Sequence, residues 1–264
     1  MPQLKPAAAI TAFVFLSACL SDGDVIPVNL DYAKTNYGYI NSGDFSAGSL
    51  FLWDKGDAPG DGRLIHLSDI PGFDAPTNPR DKTVQIADYS SGAAFGGGVE
   101  KAGLKAKADA MIAARSVFEI SYPNSVVYDN TITRVTSYLG DDIRNGGGLL
   151  DEWGFRAAAK DPDQSYVLVR KVTYGDGIKL LVDGETSASG GFSVIIKGAD
   201  VNVKLQGKGL NAIQGTDTEV AFDVYVLRPT WKDTGSGQNP SFEVDHFAEV
   251  GDLPDLFRAA SRGD

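Results

Sequence analysis

Few side chains in this 264-residue sequence are of types that commonly carry chemistry, and they are scattered. Cys19 is the single cysteine, so no intramolecular disulfide can form. The two histidines, His66 and His246, lie far apart in sequence, and neither sits in a metal-ligand spacing. His66 falls in a strand-like run beside Leu67, which favours a structural role over a catalytic one. Asp54, Asp57 and Asp61 crowd one glycine-rich loop. Carboxylate oxygens on a flexible loop suit calcium, but the spacing is not that of an EF-hand and the distal glutamate is missing. The loop therefore reads as a solvated turn, and no metal or other cofactor is implied. Gly96-Gly97-Gly98 and Gly146-Gly147-Gly148 lack the lysine and hydroxyl of a phosphate loop and do not make the dinucleotide fingerprint. Asp141-Asp142 and Asp151-Glu152 are sequence neighbours, which on a helix point in different directions. No Gly-x-Ser-x-Gly elbow is present. An envelope hydrolase would need His66 or His246 within hydrogen-bond reach of a serine and a carboxylate.

The surroundings of Cys19 say more. Lys5 precedes an apolar stretch from Ala7 to Leu16, which has signal-peptide length and is short for a permanent span. Leu16-Ser17-Ala18-Cys19 closes it. This run resembles the lipobox of bacterial lipoproteins: an aliphatic residue, two small residues, then cysteine. The resemblance covers residues 1–19. It implies that 1–18 is a cleaved signal peptide and that the Cys19 thiol takes up a diacylglyceryl group. Cys19 would then be the first, further acylated residue of the mature chain. Two or more acyl chains hold a protein stably on a bilayer where one does not. Leu20, rather than aspartate, follows the cysteine. By the same resemblance that points to the outer membrane, facing the periplasm or the cell surface.

The formal charge is −11, and removal of Lys5 with the signal takes the mature chain one lower, to −12. Such a surface is repelled by phosphate backbones, which excludes nucleic acid as the expected partner. It also argues against docking on anionic lipid through a basic patch. The partners implied are the membrane, through lipid on Cys19, and an envelope protein.

The 31 glycines and many short β-branched runs favour strands and turns. The expected organisation is a lipidated tether at 19–35, one α+β domain at 36–231, and a linker with a C-terminal docking segment at 232–264. Strands are predicted at 48–53, 63–70, 82–89 and 117–122. Residues 99–116 are ambiguous. Leu104, Ala108, Met111 and Ile112 recur at helical spacing, but apolar and charged residues also alternate from Leu104 to Ile112, and the reading adopted is strand. Asn130 to Arg144 is the best helix, with an Ile132, Val135, Leu139, Ile143 stripe and a glycine run to end it. A short helix is expected from Leu149. Residues 165–229 read as an antiparallel meander, with a first hairpin turning at Tyr174-Gly175-Asp176-Gly177 and a second at Lys197-Gly198-Ala199-Asp200. Leu253 to Ala260 reads as a docking helix. The fold class is thus α+β, an antiparallel β-rich sheet with one or two packed helices.

Two functions fit. The first is a non-enzymatic, lipid-anchored binding or structural domain of the cell envelope. The second is a membrane-active, pore-forming-type β-protein, in which segments 103–122 and 190–206 would extend as amphipathic hairpins. Val220-Ala221-Phe222-Asp223-Val224-Tyr225-Val226-Leu227 resembles, over these few residues, the strand ending the pore-forming domain of gasdermin-like proteins.

Overall fold

The structure is a computed structural model. It describes residues 25–43, 45–56, 61–74, 83–95, 102–182, 185–186, 193–197, 202–208, 214–233, 235, 238–246, 248 and 250–261. The strands before the first helix are β1 (Val25–Asn29), β2 (Lys34–Thr35), β3 (Gly38–Ile40), β4 (Ser49–Asp54), β5 (Arg63–Asp69), β6 (Val84–Ser91) and β7 (Ala94–Phe95). Helix α1 (Ala102–Arg115), strands β8 (Ser116–Ser121) and β9 (Asn124–Val127), and helices α2 (Thr131–Arg144), α3 (Leu149–Glu152) and α4 (Phe155–Ala158) follow. The chain continues through β10 (Gln164–Val182), β11 (Glu185–Thr186), β12 (Ser193–Lys197), β13 (Asn202–Lys208), β14 (Gln214–Asp233), β15 (Gln238–Val244) and α5 (Leu253–Ala260). The protein is α+β, β-rich and mainly antiparallel; the β1–β13 pair is parallel.

Two long strands organise everything. β10 and β14 pair antiparallel from Tyr166↔Leu227 to Gly177↔Gln214, with three register shifts on the way. At one end they belong to an open sheet in the order β15-β14-β10-β4-β5. At the other end the pairings β10–β14, β14–β3, β3–β2, β2–β6, β6–β8 and β8–β10 close into a ring. Closure leaves these strands without a free edge there. The alternation on β8 follows: Ser116, Phe118 and Ile120 are buried inside the ring, while Val117, Glu119 and Ser121 lie outward. Phe118, Ile120, Ile178, Leu180, Ile40, Ala87 and Val220 fill it, and Ala108 and Ile112 of α1 cap it together with Val28 and Leu30.

Helices cover both faces of the open sheet. On one, Phe155 of α4 packs edge-on against Phe242, which in turn meets Tyr166, and the Tyr166 hydroxyl donates to the Trp153 carbonyl at 2.8 Å. On the other, Phe257 of α5 sits among Tyr32, Tyr39, Phe45, Phe51 and Phe222. Helix α2 buries Val135 and Leu139 of the predicted stripe, and the Gly147 N–H closes its end on the Asp142 carbonyl.

Several expectations are corrected. Residues 102–115 form a helix, not a strand; the alternating lysines lie on a short helix whose apolar residues Ala108 and Ile112 meet the ring core. Tyr174 to Gly177 is not a hairpin turn, because β10 runs straight through it. The glycines serve a different need. A Cβ at Gly175 would lie 3.0 Å from the Ser121 carbonyl oxygen, and Gly177 has φ +146. They let the bulged strand leave the sheet and enter the ring. The tether expected at 19–35 is already fold from Val25 onward, since β1 is paired and Val28, Leu30, Tyr32 and Ala33 are buried. The linker expected from 232 contains β15, and β14 continues to Asp233. The second hairpin forms as β12–β13; its turn, residues 198–201, lies outside the described residues.

Candidate functional site

Cys19 and the rest of 1–24 lie outside the described residues, as does Asp57. Asp54, at the end of β4, accepts from the Arg63 guanidinium at 3.2 and 3.3 Å and from the Gly56 N–H at 3.2 Å. It therefore closes a turn. Asp61 is exposed, and among the described residues no group of three or more potential ligands could hold a metal ion.

The fold does bring His66 to a serine and a carboxylate. Ser49 and Asp69 are register partners on β4 and β5, and the Ser49 hydroxyl donates to Asp69 Oδ1 at 2.8 Å. His66 Nε2 stands 3.2 Å from the same oxygen. The order is wrong for nucleophilic catalysis, in which the imidazole stands between serine and carboxylate to receive the proton. Here the carboxylate stands between. The Ser49 side is buried, and the hydroxyl also accepts from the Ser46 N–H at 3.3 Å. The cluster staples two strands next to the bulge at Leu67. His246 is exposed beyond β15, beside Asp245, which accepts from Arg228 Nε at 2.8 Å.

A denser polar cluster lies where the sheet meets the ring. Ser46 donates to Glu219 Oε2 at 2.8 Å. Tyr174 also hydrogen-bonds Glu219, its hydroxyl lies 3.2 Å from that of Tyr128, and Tyr128 donates to the Asp74 carbonyl at 2.9 Å. Burial raises the Glu219 carboxyl above its ordinary range, against the lowering effect of the Ser46 and Tyr174 hydrogen bonds. Burial likewise raises the Tyr174 hydroxyl, helped by Tyr128 and Glu219. The cluster joins β14, β10, the turn before β4 and the segment after β9. Its one sequence signal is an acid, Glu219, directly ahead of a buried apolar run.

Among the described residues, a concave surface lies at the other end of β10. Two adjoining depressions, of about 300 and 420 Å³, share Ala159 and Lys160. Gln164, Arg228 and Thr230 line one; Arg156 and Trp231 line the other. The Arg156 guanidinium lies 5.4 Å from the centre of the Trp231 ring, a cation–π arrangement. Arg156, Lys160 and Arg228 share these depressions with one acid, Asp161, and two of the three cations are already paired, Arg156 with Asp151 at 3.7 Å and Arg228 with Asp245 at 2.8 Å. Sequence reading missed this face because its residues come from α4 and from β14, far apart in the chain.

No family model matches the chain, and no curated protein matches it. A solved structure, that of a bacterial gasdermin from Bradyrhizobium tropiciagri, overlaps 78% of this chain and 84% of that one at 12% identity, with a TM-score of 0.27. The functional reading accordingly rests on this chain's own residues.

Proposed function

We propose that this protein is a lipid-anchored cell-envelope lipoprotein whose β-rich domain is a non-enzymatic binding module. The observation that carries the reading is Leu16-Ser17-Ala18-Cys19 at the end of an apolar run, six residues before the first described strand begins at Val25. The depression around Arg156, Lys160, Arg228 and Trp231 is the concave face such a module would offer to an envelope partner. The test is fractionation of cells with mass analysis of the N-terminal peptide. The expected outcome is a diacylated or triacylated Cys19 in the membrane fraction, with Cys19→Ser releasing a folded domain. A Cys19→Ser variant that stays fully on the membrane would overturn the reading.

A second reading is a membrane-active, pore-forming-type β-protein. It draws on segments 103–122 and 190–206 as amphipathic hairpins, of which Ser193–Lys197 and Asn202–Lys208 are paired strands, whereas Ala102–Arg115 is a helix that would have to refold as strand. Dye-filled liposomes separate the two: the binding module leaves them intact, and release of dye at micromolar protein would favour the pore.

A further inference from the structure

We infer that Asn145 is a site of spontaneous covalent modification, where the Gly146 backbone nitrogen displaces the side-chain amide and leaves isoaspartate and aspartate at the end of α2. Asn145-Gly146 is the one Asn-Gly pair in the chain, and it opens the glycine run that closes this helix. Both residues are exposed. Asn145 caps α2 with φ −87 and ψ 3, and its N–H reaches the Asp141 and Asp142 carbonyls at 3.0 and 3.1 Å. Among the described residues nothing hydrogen-bonds its side-chain amide. Gly146 has φ +74, and a Cβ built there would meet nothing within 4 Å. The nitrogen is therefore shielded neither by a side chain of its own nor by a neighbour.

The step needs only water. The Gly146 nitrogen gives its proton to solvent and bonds to Asn145 Cγ. A five-membered imide closes, and the amide nitrogen takes a proton from water and leaves as ammonia. A second step opens the ring with water. Opening at the backbone carbonyl gives isoaspartate, whose main chain is one carbon longer; opening at the former side-chain carbonyl gives aspartate. On balance one water enters and one ammonia departs.

The folded cap sets the pace. A ψ near zero holds the Gly146 nitrogen out of line with Cγ, and the Gly146 N–H is kept on the Ile143 carbonyl at 3.1 Å. Attack runs from the frayed end of the helix, which opens at low cost. Other asparagines lack this freedom. Asn41, before Ser42, is buried, and its amide donates to the Phe45 carbonyl at 2.8 Å. Asn124, before Ser125, is paired with Tyr174 in the sheet. The product lands where α2 turns into α3. A new carboxylate joins Asp141 and Asp142 at a helix C-terminus, where negative charge is already disfavoured. The longer main chain displaces two bonds that set the start of α3, from the Gly147 N–H to the Asp142 carbonyl at 2.8 Å and from the Leu149 N–H to Asp142 Oδ2 at 2.9 Å.

The experiment incubates the full chain at mildly alkaline pH, where the Gly146 nitrogen loses its proton most readily. Peptides are then mapped by mass spectrometry, with fragmentation that tells isoaspartate from aspartate. A synthetic peptide of residues 141–149 runs alongside. Asn145 is expected to exchange ammonia for water at least about tenfold faster than Asn41 or Asn124. Isoaspartate should exceed aspartate, and the protein should convert more slowly than the peptide, by the cost of opening the cap. Asn145→Gln, which would have to close a six-membered ring, is expected to stay unmodified, with circular dichroism melts confirming that it folds. Conversion at Asn145 no faster than at Asn41 and Asn124, a product that is aspartate alone, or equal conversion of Asn145→Gln would overturn the inference.

Discussion

Glu219 shows how a single side chain couples this fold to pH. Its carboxyl is raised from an ordinary 4.5 by burial. An acid raised in the folded state holds more protons there than in the unfolded chain, between the ordinary and the raised value. Stability therefore falls as pH rises through that window and is greatest below it. The amide of Glu219→Gln can still accept from Ser46 and Tyr174 but cannot ionise. Its melting temperature relative to wild type is expected to rise from pH 4 to pH 7, and thermal melts across that range check it. A constant difference would mean that Glu219 ionises freely in the folded protein. The same residue marks a limit of sequence reading. Glu219 is adjacent to nothing polar that matters: its partners Ser46 and Tyr174 lie 173 residues before it and across a strand pair. Asp54, by contrast, was legible as a turn residue because its partners Gly56 and Arg63 are local.

At the scale of elements, local signals succeeded where an element stands on its own face. The α2 stripe and the Leu253 to Ala260 helix formed where periodicity placed them. They failed where a residue type has two uses. Glycine at 175 and 177 reads as a turn, yet here it relieves a close approach within a continuous strand. The alternation over 104–112 reads as a strand, but alanine content and the ring core hold a helix. Helix α5 illustrates what such docking contributes. It ties to the turn before β7 through the Arg258 guanidinium, which hydrogen-bonds the Gly92 carbonyl, and its Phe257 is fully buried among five aromatic rings. Eight residues alone would not hold a helix in water. Phe257→Ala is expected to cost about 3–5 kcal/mol, read as a lowered urea midpoint with an unchanged slope. A loss below about 1 kcal/mol would show that α5 contributes little to the folded core.

Taken whole, the molecule has two ends, and β10 connects them. The small sheet that begins at Val25 packs on the ring, where Val28 joins Ile178 and Leu180, while Gln164 at the start of β10 lines the depression beside Lys160 and Arg228. Fourteen residues of strand separate Gln164 from Ile178, up to about 45 Å in extended form. If Cys19 is the anchor, as proposed, a domain held from the Val25 end would present Arg156, Lys160 and Trp231 away from its own membrane. The prediction is one of depth. A fluorophore on Lys204→Cys, in the lipid-anchored protein on vesicles, is expected to be quenched by a quencher carried on lipid headgroups, and one on Lys160→Cys is not. Quenching at Lys160 with none at Lys204 would turn the molecule over, placing the depression against the bilayer and making lipid, rather than an envelope partner, the ligand to seek there.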